Sequence, residues 1–296
     1  MKVYLVDGTY ELFRHYYALP GQVNAAGQEV AATRGVLRSL LALLDGGVTH
    51  LAVATDHVIE SFRNELWPGY KDGSGIEPEL RSQFEPLEEA IAALGIPVWA
   101  MVEHEADDGL AAGAALAAAD ERVEQVLICT PDKDLAQCVE GERVVQFDRR
   151  KNLIIDEAGV RERFGVGPES IPDYLALVGD AADGFPGLLG WGAKSAATVL
   201  ARYGKIENVP PRALDWDVEL RAAKRLAATL AEGRELALLF RRLATLDRGA
   251  PVSESVDELN WSGPTPALTG VARTLEDDTL VERAAAPAAK REAPAT

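Results

Sequence analysis

The first 140 residues alternate between short apolar runs and segments with helical periodicity, and this alternation limits the folds that the chain can adopt. The apolar runs are KVYLVDG, HLAVATD, IPVWAMV and VEQVLICTPDKD, and helical patterns such as ATRGVLRSLLALL and RSQFEPLEEAIAALG lie between them. Strands that alternate with helices form parallel sheets covered by helices. We therefore predict an α/β domain over residues 1–165, with a mostly parallel sheet flanked by helices.

The pattern changes after about residue 165. Strand signals fade, glycine and proline interrupt the segment GDAADGFPGLLGWGAKSAATVLARYG, and helical patterns dominate to about residue 248. We predict a small all-helical domain over 166–250. The remaining stretch, 251–296, ends in VERAAAPAAKREAPAT, which is rich in alanine and proline and lacks periodicity. We expect it to be a largely disordered tail.

Composition excludes several classes of protein. The chain has no apolar run long enough to span a membrane, and its N-terminus lacks the features of a signal peptide. Two cysteines without metal-ligand partners fit a reduced, cytoplasmic protein. The net charge of -17 argues against a nucleic-acid binder, but from Lys194 to Arg248 there are eleven basic residues against seven acidic ones. The segment 194–248, which makes up most of the predicted helical domain, is therefore basic within an acidic chain.

Acidic residues follow several of the predicted strands. Because parallel strands end at the same edge of a sheet, these carboxylates should meet there. The acids at strand ends are Asp7, Asp56, Asp132 and Asp134; the acids that open the helix after the third strand are Glu105, Asp107 and Asp108; Asp180 and Asp183 begin the glycine-rich segment. Each alone could be a turn residue or a helix cap. Together, carboxylates without thiols suit Mg²⁺ or Mn²⁺, and so many of them suit two ions, an arrangement that handles in-line attack on a phosphodiester.

The motifs VDGTYELFRHYYA, TDHVIESFRNELWPGYK, EADD, TPDKD and GDAADGFPGLLGWGAKSA occur in this order, and together they resemble the 5′-nuclease family. This family includes the 5′→3′ exonuclease domain of bacterial DNA polymerase I, phage exonucleases and flap endonucleases. The resemblance implies a PIN-like α/β fold with a helical arch near 60–82 and a helix-hairpin-helix-like second domain. It also implies that all nine acids named above bind two Mg²⁺ or Mn²⁺ ions.

The resemblance also implies roles for other residues. Lys71 and Arg14 would act at the scissile phosphate, and K⁺ would bind in the glycine-rich loop. The residues expected to contact DNA are Arg63, Tyr70, Gly187, Gly190, Gly192, Lys194 and Ser195. From the residues alone, the glycines serve equally well as a tight turn between helices, and Arg63 as a salt-bridge partner. The chain departs from the family in having Thr55 in place of Phe, Gly184 in place of Asn, and DGSG where an arginine is common.

These features predict a structure-specific 5′ nuclease for DNA with a free 5′ end, such as a flap or nicked duplex, in replication or repair. We expect a monomer. Because the chain ends at residue 296, we expect no fused polymerase, and a DNA polymerase acting in trans is a candidate partner. A haloacid-dehalogenase-like phosphatase is disfavoured, since Leu5 occupies the nucleophile position. The alternatives are a PIN-type ribonuclease, which normally lacks the glycine-rich segment at 179–196, and a branched-DNA-binding protein without catalytic activity. A complete acid cluster argues against the latter, because unneutralised like charges repel.

Overall fold

A six-stranded sheet forms the centre of the α/β fold in the computed structural model, which describes residues 1–292. The sheet has the order β3-β2-β1-β4-β5-β6. Its strands are β1 Lys2–Asp7, β2 His50–Asp56, β3 Val98–Met101, β4 Gln125–Cys129, β5 Val144–Asp148 and β6 Leu153–Ile155. β1 pairs in parallel with β2 and β4, and β2 pairs in parallel with β3. The mostly parallel sheet is confirmed, whereas the antiparallel β5–β6 pair was not predicted.

Helices follow most of the strands and make up most of the chain after residue 156. They are α1 Gly8–Ala18, α2 Ala31–Asp45, α3 Arg63–Leu66, α4 Pro78–Arg81, α5 Phe84–Ala93, α6 Ala106–Ala119, α7 Glu157–Phe164, α8 Ile171–Val178, α9 Ala193–Tyr203, α10 Ala223–Glu232, α11 Arg234–Ala244, α12 Leu268–Thr274 and α13 Leu280–Glu292. The expected arch, 60–82, contains only the one-turn helices α3 and α4 and a short 3₁₀ turn at Gly73–Gly75. No helix of the described residues 1–292 is both long enough and apolar enough to cross a membrane.

The chain forms two compact units. The first contains Met1–Ile59, Gly73–Thr130 and the chain from Arg248 onward, and the second contains Glu60–Asp72 and Pro131–Asp247. In the first unit, the strands bury Leu5, Val53 and Ile128 completely. In α2, apolar residues at helical spacing form one face of the helix, and this face is buried. It contains Leu37, Leu40, Leu41 and Leu44. In the second unit, α8 and α11 pack around Phe185 and Phe240, whose rings stack at 5.5 Å.

The expectation of a disordered tail is wrong for most of residues 251–292. Trp261 is 1% exposed and donates its Nε1–H to the Leu94 carbonyl, and α12 and α13 follow it. Leu268, Leu280 and Ala284, which belong to the first unit, are buried as well. Alanine-rich composition concealed the few apolar residues that anchor these helices, because alanine itself gives little periodic contrast. The last four residues of the predicted tail, 293–296, lie outside the described residues.

Asp277 connects the C-terminal helices to α2. It is buried, and its carboxylate accepts a hydrogen bond from Arg38 at 3.2 Å and lies 3.7 Å from the Arg34 Nε. Burial raises the pKa of Asp277, but the hydrogen bond from Thr279 and the charges of Arg38 and Arg34 outweigh burial, so the pKa is lowered. A lowered pKa means that the ionised carboxylate stabilises the fold above its ordinary pKa, and that this contribution is lost as the pH falls through the folded-state value.

Asp277→Asn is therefore expected to lower the melting temperature at pH 7. A loss of about 2 kcal/mol is reasonable for a buried carboxylate whose partner Arg38 is half exposed, which corresponds to about 4–8 °C. The difference between wild type and variant should shrink as the pH falls below about 4, as Asp277 approaches its lowered folded-state pKa and becomes protonated. Melting curves recorded by circular dichroism between pH 3 and 7 test this. A constant difference across that range would show that the charge of Asp277 is not responsible.

Candidate metal and nucleic-acid sites

Asp7 and Asp56 end two neighbouring parallel strands of the first unit, as the sequence predicts. Asp7 also caps α1: its Oδ1 accepts the Tyr10 N–H at 2.8 Å, and its Oδ2 accepts the Thr130 hydroxyl at 2.9 Å. The Oδ1 atom of Asp56 accepts the Ala106 N–H at 2.8 Å. Asp7 is thus a helix cap, whereas its structural alternative from the sequence was a turn residue, and capping leaves a carboxylate at the strand end where a cation site was expected.

Glu105, Asp107 and Asp108 begin α6. Glu105 and Asp108 form a reciprocal capping box, in which the Glu105 N–H donates to Asp108 Oδ2 at 3.0 Å. Both side chains are buried, whereas Asp107 is half-buried. The capping box holds two carboxylates in place at the helix N-terminus.

The second unit contains a cluster of three buried carboxylates. Asp134, Asp180 and Asp183 each offer an oxygen, and these oxygens lie within 4.8 Å of one another. The Oδ1 atom of Asp134 is buried and has no hydrogen-bond partner. A buried carboxylate oxygen without a partner is costly. This donor set consists only of hard oxygen atoms, so it fits a divalent cation such as Mg²⁺ or Mn²⁺.

Asp132 lies next to this cluster in sequence but is exposed, and its Oδ1 accepts the Asp134 N–H at 3.0 Å. Burial raises the pKa of Asp134 well above its usual value, and the negative charges of Asp132, Asp183 and Asp180 raise it further. The same crowding that raises this pKa would be relieved by a bound cation.

Two lysines partly neutralise the cluster. Lys133 Nζ lies 2.5 Å from Asp180 Oδ2, and Lys71 Nζ lies 3.0 Å from Asp183 Oδ1. Burial lowers the pKa of Lys133, but its hydrogen bond to Asp180 and the charge of Asp134 outweigh burial, so the pKa is raised. Sequence reasoning missed Lys133, although its position between two candidate metal ligands was a usable signal.

Lys71 is fixed to Asp183 through its backbone as well, because the Lys71 N–H donates to the Asp183 carbonyl at 3.0 Å. The next residue, Gly184, has a φ of 83°, and a Cβ there would lie 2.0 Å from the Gly69 carbonyl oxygen. Any side chain at position 184 would push these two segments apart. The departure from Asn to Gly184 therefore suits the close contact that places Lys71 beside Asp183.

Arg14 lies on α1, in the first unit. Its Nη2 donates to Glu11 Oε2 at 2.5 Å, and its Nε is buried without a hydrogen-bond partner. About a quarter of the side chain is exposed. This partly exposed guanidinium retains donors that could bind an anion, as its predicted role requires.

The predictions that Arg63 and Tyr70 contact DNA are wrong. Arg63 is 1% exposed, and its guanidinium donates to the carbonyls of Leu243 and Thr245 at 2.8 and 3.0 Å. Those carbonyls lie at the end of α11, so Arg63 fastens residues 60–72 to the helical core. Tyr70 is 5% exposed and belongs to the apolar core of the second unit.

A cleft of about 560 Å³ lies between the glycine-rich loop and the start of α10. Among its lining residues in the described chain, the charged side chains are Lys194, Arg221 and Arg225, and no carboxylate lines it. Elsewhere in this unit Arg202, Arg212 and Arg241 are neutralised by ion pairs with Asp217, Asp215 and Glu207. The cleft therefore brings three cationic side chains together without a carboxylate.

The glycines of the loop have different structural roles. Gly187 has a φ of 68°, and a Cβ there would lie 2.4 Å from the Gly179 nitrogen, so close packing requires glycine. Gly190 has a φ of 83°, whereas Gly192 faces open space and its N–H donates to Ser195 Oγ. Gly190, Gly192, Lys194 and Ser195 line the cleft, but Gly187 does not. The tight-turn interpretation thus explains Gly187, and a phosphate-binding role remains a prediction for the other four.

Comparison with known proteins agrees with this arrangement. Residues 2–165 match the family described as 5′-3′ exonuclease, N-terminal resolvase-like domain, and residues 166–267 match 5′-3′ exonuclease, C-terminal SAM fold. The chain is 39% identical over 288 residues to DNA polymerase I of Pseudomonas aeruginosa, covering 94% of this chain and 31% of the relative. It is 32% identical over 268 residues to a 5′-3′ exonuclease of Buchnera aphidicola, covering 88% of this chain and 86% of the relative. The chain spans about a third of the length of the DNA polymerase I relatives.

Solved structures show the same fold. T5 5′-exonuclease with bound divalent zinc ions superposes with a TM-score of 0.65 at 18% identity, covering 97% of this chain and 98% of that one. The catalytic core of Rad2 in complex with a DNA substrate has a TM-score of 0.63 at 16% identity, covering 97% and 92%. At these identities the similarity establishes the shared architecture.

Proposed function

Since the chain belongs to the 5′-3′ exonuclease family, we propose that it is a structure-specific 5′ nuclease that hydrolyses DNA phosphodiesters near a free 5′ end. The observation that carries this proposal is the buried carboxylate cluster of the second unit, in which one Asp134 oxygen has no hydrogen-bond partner. Flaps and nicked duplexes, met in replication and repair, are the substrates proposed.

Two Mg²⁺ or Mn²⁺ ions are the proposed cofactors. When bound, they would supply a water nucleophile near neutral pH and stabilise negative charge on the reacting phosphate. Their proposed ligands in the first unit are Asp7, Asp56, Glu105, Asp107 and Asp108, and those in the second unit are Asp132, Asp134, Asp180 and Asp183. Buried capping and hydrogen bonds already fix several of these carboxylates, so little ordering would be required on binding.

Lys71 and Arg14 are the proposed catalytic cations. Lys71 is held at Asp183 by an ion pair and a backbone hydrogen bond, so its ammonium group is fixed beside a proposed metal ligand. Arg14 would donate to a phosphate oxygen from α1. Both side chains would stabilise charge that develops on the scissile phosphate.

The cationic cleft is the proposed site for the DNA duplex. The backbone N–H of Gly190 and those at the start of α9 can donate to phosphate oxygens, and Lys194 adds positive charge. Contacts of this kind recognise the sugar-phosphate backbone and no base sequence. A K⁺ ion in the loop remains part of the proposal.

The test is cleavage of four labelled substrates by the purified protein with Mg²⁺: a 5′ flap, a nicked duplex, a 3′-overhang and single-stranded RNA. We expect cleavage of the flap and the nicked duplex, and none in excess EDTA. Activity that persists in EDTA would contradict metal-dependent catalysis. Cleavage of RNA alone would favour a PIN-type ribonuclease, and tight flap binding without cleavage in Mg²⁺ or Mn²⁺ would favour a binding protein.

Lys194→Glu is expected to weaken duplex binding about five- to tenfold at 0.1 M salt. The slope of log K against log salt should fall by about one, because one phosphate contact is lost. The matched control is Lys205→Glu, since Lys205 is an exposed lysine of the same unit that does not line the cleft. Binding of a labelled duplex in EDTA, measured by fluorescence anisotropy at several salt concentrations, gives both quantities. Equal losses for the two variants would mean that net charge, and not the cleft, governs binding.

A DNA polymerase acting in trans is the proposed protein partner. The support is that several relatives are DNA polymerase I chains, of which this chain matches about a third. Stimulation of strand-displacement synthesis in a reconstituted reaction would test this partnership.

A further inference from the structure

Glu88 of α5 binds both neighbours of Asp56 at the end of β2. The Thr55 hydroxyl donates to Glu88 Oε1 at 2.7 Å, and His57 Nδ1 lies 2.8 Å from Glu88 Oε2. The Glu88 side chain is 11% exposed, and Thr55 is 3% exposed. A single carboxylate thus uses one oxygen on each residue that flanks a proposed metal ligand.

Because side chains alternate along a strand, the contacts of Glu88 with Thr55 and His57 also affect the orientation of Asp56. Thr55 and Asp56 are successive residues of β2, so their side chains project to opposite sides, and the His57 side chain lies on the Thr55 side because both reach Glu88. A grip on both flanking side chains prevents the segment from rotating about its own axis. It therefore sets the direction in which the Asp56 side chain points, although Glu88 does not itself bond to Asp56.

Two other contacts complete the support of Asp56. The Asp56 N–H donates to Thr9 Oγ1 at 2.8 Å, and Asp56 Oδ1 accepts the Ala106 N–H at 2.8 Å. These contacts fix the backbone from α1 and one carboxylate oxygen from α6. The Glu88 contacts come from a third element, α5, and they hold the side chains on either side, whereas β3 holds the backbone there: Thr55 pairs with Ala100, and the His57 N–H donates to the Met101 carbonyl at 2.9 Å.

The departure at Thr55 explains why an acid is present at position 88. Where the 5′-nuclease family usually has Phe, this chain buries a hydroxyl, which needs a hydrogen-bond acceptor. Glu88 supplies the acceptor and reaches His57 with its second oxygen.

We propose that Glu88 is a positioning residue that orients Asp56 for divalent metal binding through Thr55 and His57. This proposal rests on the proposed function, in which Asp56 is a metal ligand. Residues that orient metal ligands typically change metal affinity about 10- to 100-fold when they are replaced. Because Thr9 and Ala106 also support Asp56, we expect the lower end of that range.

The experiment compares Glu88→Ala, Glu88→Gln and the matched control Glu89→Ala, since Glu89 is the exposed neighbour on the same helix. Binding of Mn²⁺ to the DNA-free protein is measured by calorimetry, and the half-saturating Mg²⁺ concentration is measured in single-turnover flap cleavage. Glu88→Ala should weaken metal binding and raise the half-saturating Mg²⁺ concentration, each about tenfold. The KM for the flap at saturating Mg²⁺ should stay within about twofold of wild type, since no DNA contact is lost.

Glu88→Gln separates positioning from charge. Glutamine can still accept from Thr55 and donate to His57 Nδ1, so it should retain metal binding within about threefold. A Glu88→Gln variant as defective as Glu88→Ala would overturn the proposal, because lost charge would then be the cause. Equal Mn²⁺ affinity for Glu88→Ala and Glu89→Ala would overturn it as well.

Thr55→Val provides a second variant if Glu88→Ala does not fold, since valine retains the shape of threonine but removes the hydroxyl donor. It should weaken Mn²⁺ binding in the same direction, and unchanged Mn²⁺ affinity would contradict the proposal. Because calorimetry requires no DNA, a wild-type protein that binds Mn²⁺ but cleaves no flap would contradict the proposed function while still testing Glu88.

Discussion

Asp134→Asn is expected to remove most of the rise in melting temperature that Mg²⁺ gives the wild-type protein, and to slow single-turnover flap cleavage about 10²- to 10³-fold. Asp134 is buried, and its Oδ1 atom has no hydrogen-bond partner. Asp134 also offers an oxygen within 4.8 Å of oxygens from Asp180 and Asp183. Asparagine retains the size of the side chain but replaces one oxygen by a nitrogen that cannot bind a hard cation. The loss should therefore fall on metal binding and leave the fold intact.

The metal-free protein should respond in the opposite direction. Burial and the neighbouring carboxylates raise the pKa of Asp134, which means that ionised Asp134 destabilises the fold near neutral pH. Asp134→Asn should therefore raise the melting temperature in EDTA by a few degrees, about 2–4 °C for each kcal/mol gained. The control is Asp217→Asn, an exposed carboxylate that pairs with Arg202 and should change neither quantity. A variant that retains the full Mg²⁺-induced shift would remove Asp134 from the set of metal ligands.

The sequence predicted the sheet and its strand-end acids because both depend on local patterns. Asp7 and Asp56 end apolar runs, and parallel pairing of those runs places them on neighbouring strands. The antiparallel β5–β6 pair was missed, since VVQFD and LII are short and are separated by a polar turn. Local signals therefore identified the four strands that alternate with helices and missed the pair that is joined directly by a turn.

Roles that depend on distant contacts could not be predicted in this way. The carbonyls that accept from Arg63 lie about 180 residues further along the chain, so the sequence could not distinguish a DNA-binding arginine from a structural one. The partners of Glu88 lie 31 and 33 residues away. The sequence signal for these contacts was Thr55 at a position where Phe was expected. It indicated a hydroxyl that needs a hydrogen-bond acceptor, but it did not identify Glu88 as that acceptor.

Lys71→Ala is expected to slow single-turnover flap cleavage about 10²-fold while changing the Kd for the flap, measured in EDTA, by less than about threefold. The Lys71 ammonium group is proposed to stabilise charge on the scissile phosphate, and its contribution to duplex binding is one contact among many. Lys71→Arg keeps the charge but not the compact ammonium group, so an intermediate rate is expected. The control is Lys205→Ala, which removes one lysine charge from an exposed position of the same unit and should leave the rate unchanged.

A double variant can show whether Lys71 acts on the phosphate or only neutralises Asp183, because the two side chains form an ion pair. If Lys71 served only to neutralise Asp183, then Asp183→Asn would make Lys71 dispensable, and Lys71→Ala would cost nothing further in the double variant. If Lys71 also acts on the phosphate, the Lys71→Ala substitution should still slow cleavage at least about tenfold in the Asp183→Asn background. Asp183→Asn alone should slow cleavage on the order of 10²-fold and should shift the Mg²⁺ titration to higher concentration, because a proposed metal ligand is lost. A double variant no slower than Asp183→Asn would assign Lys71 to charge balance within the carboxylate cluster and exclude it from the chemical step.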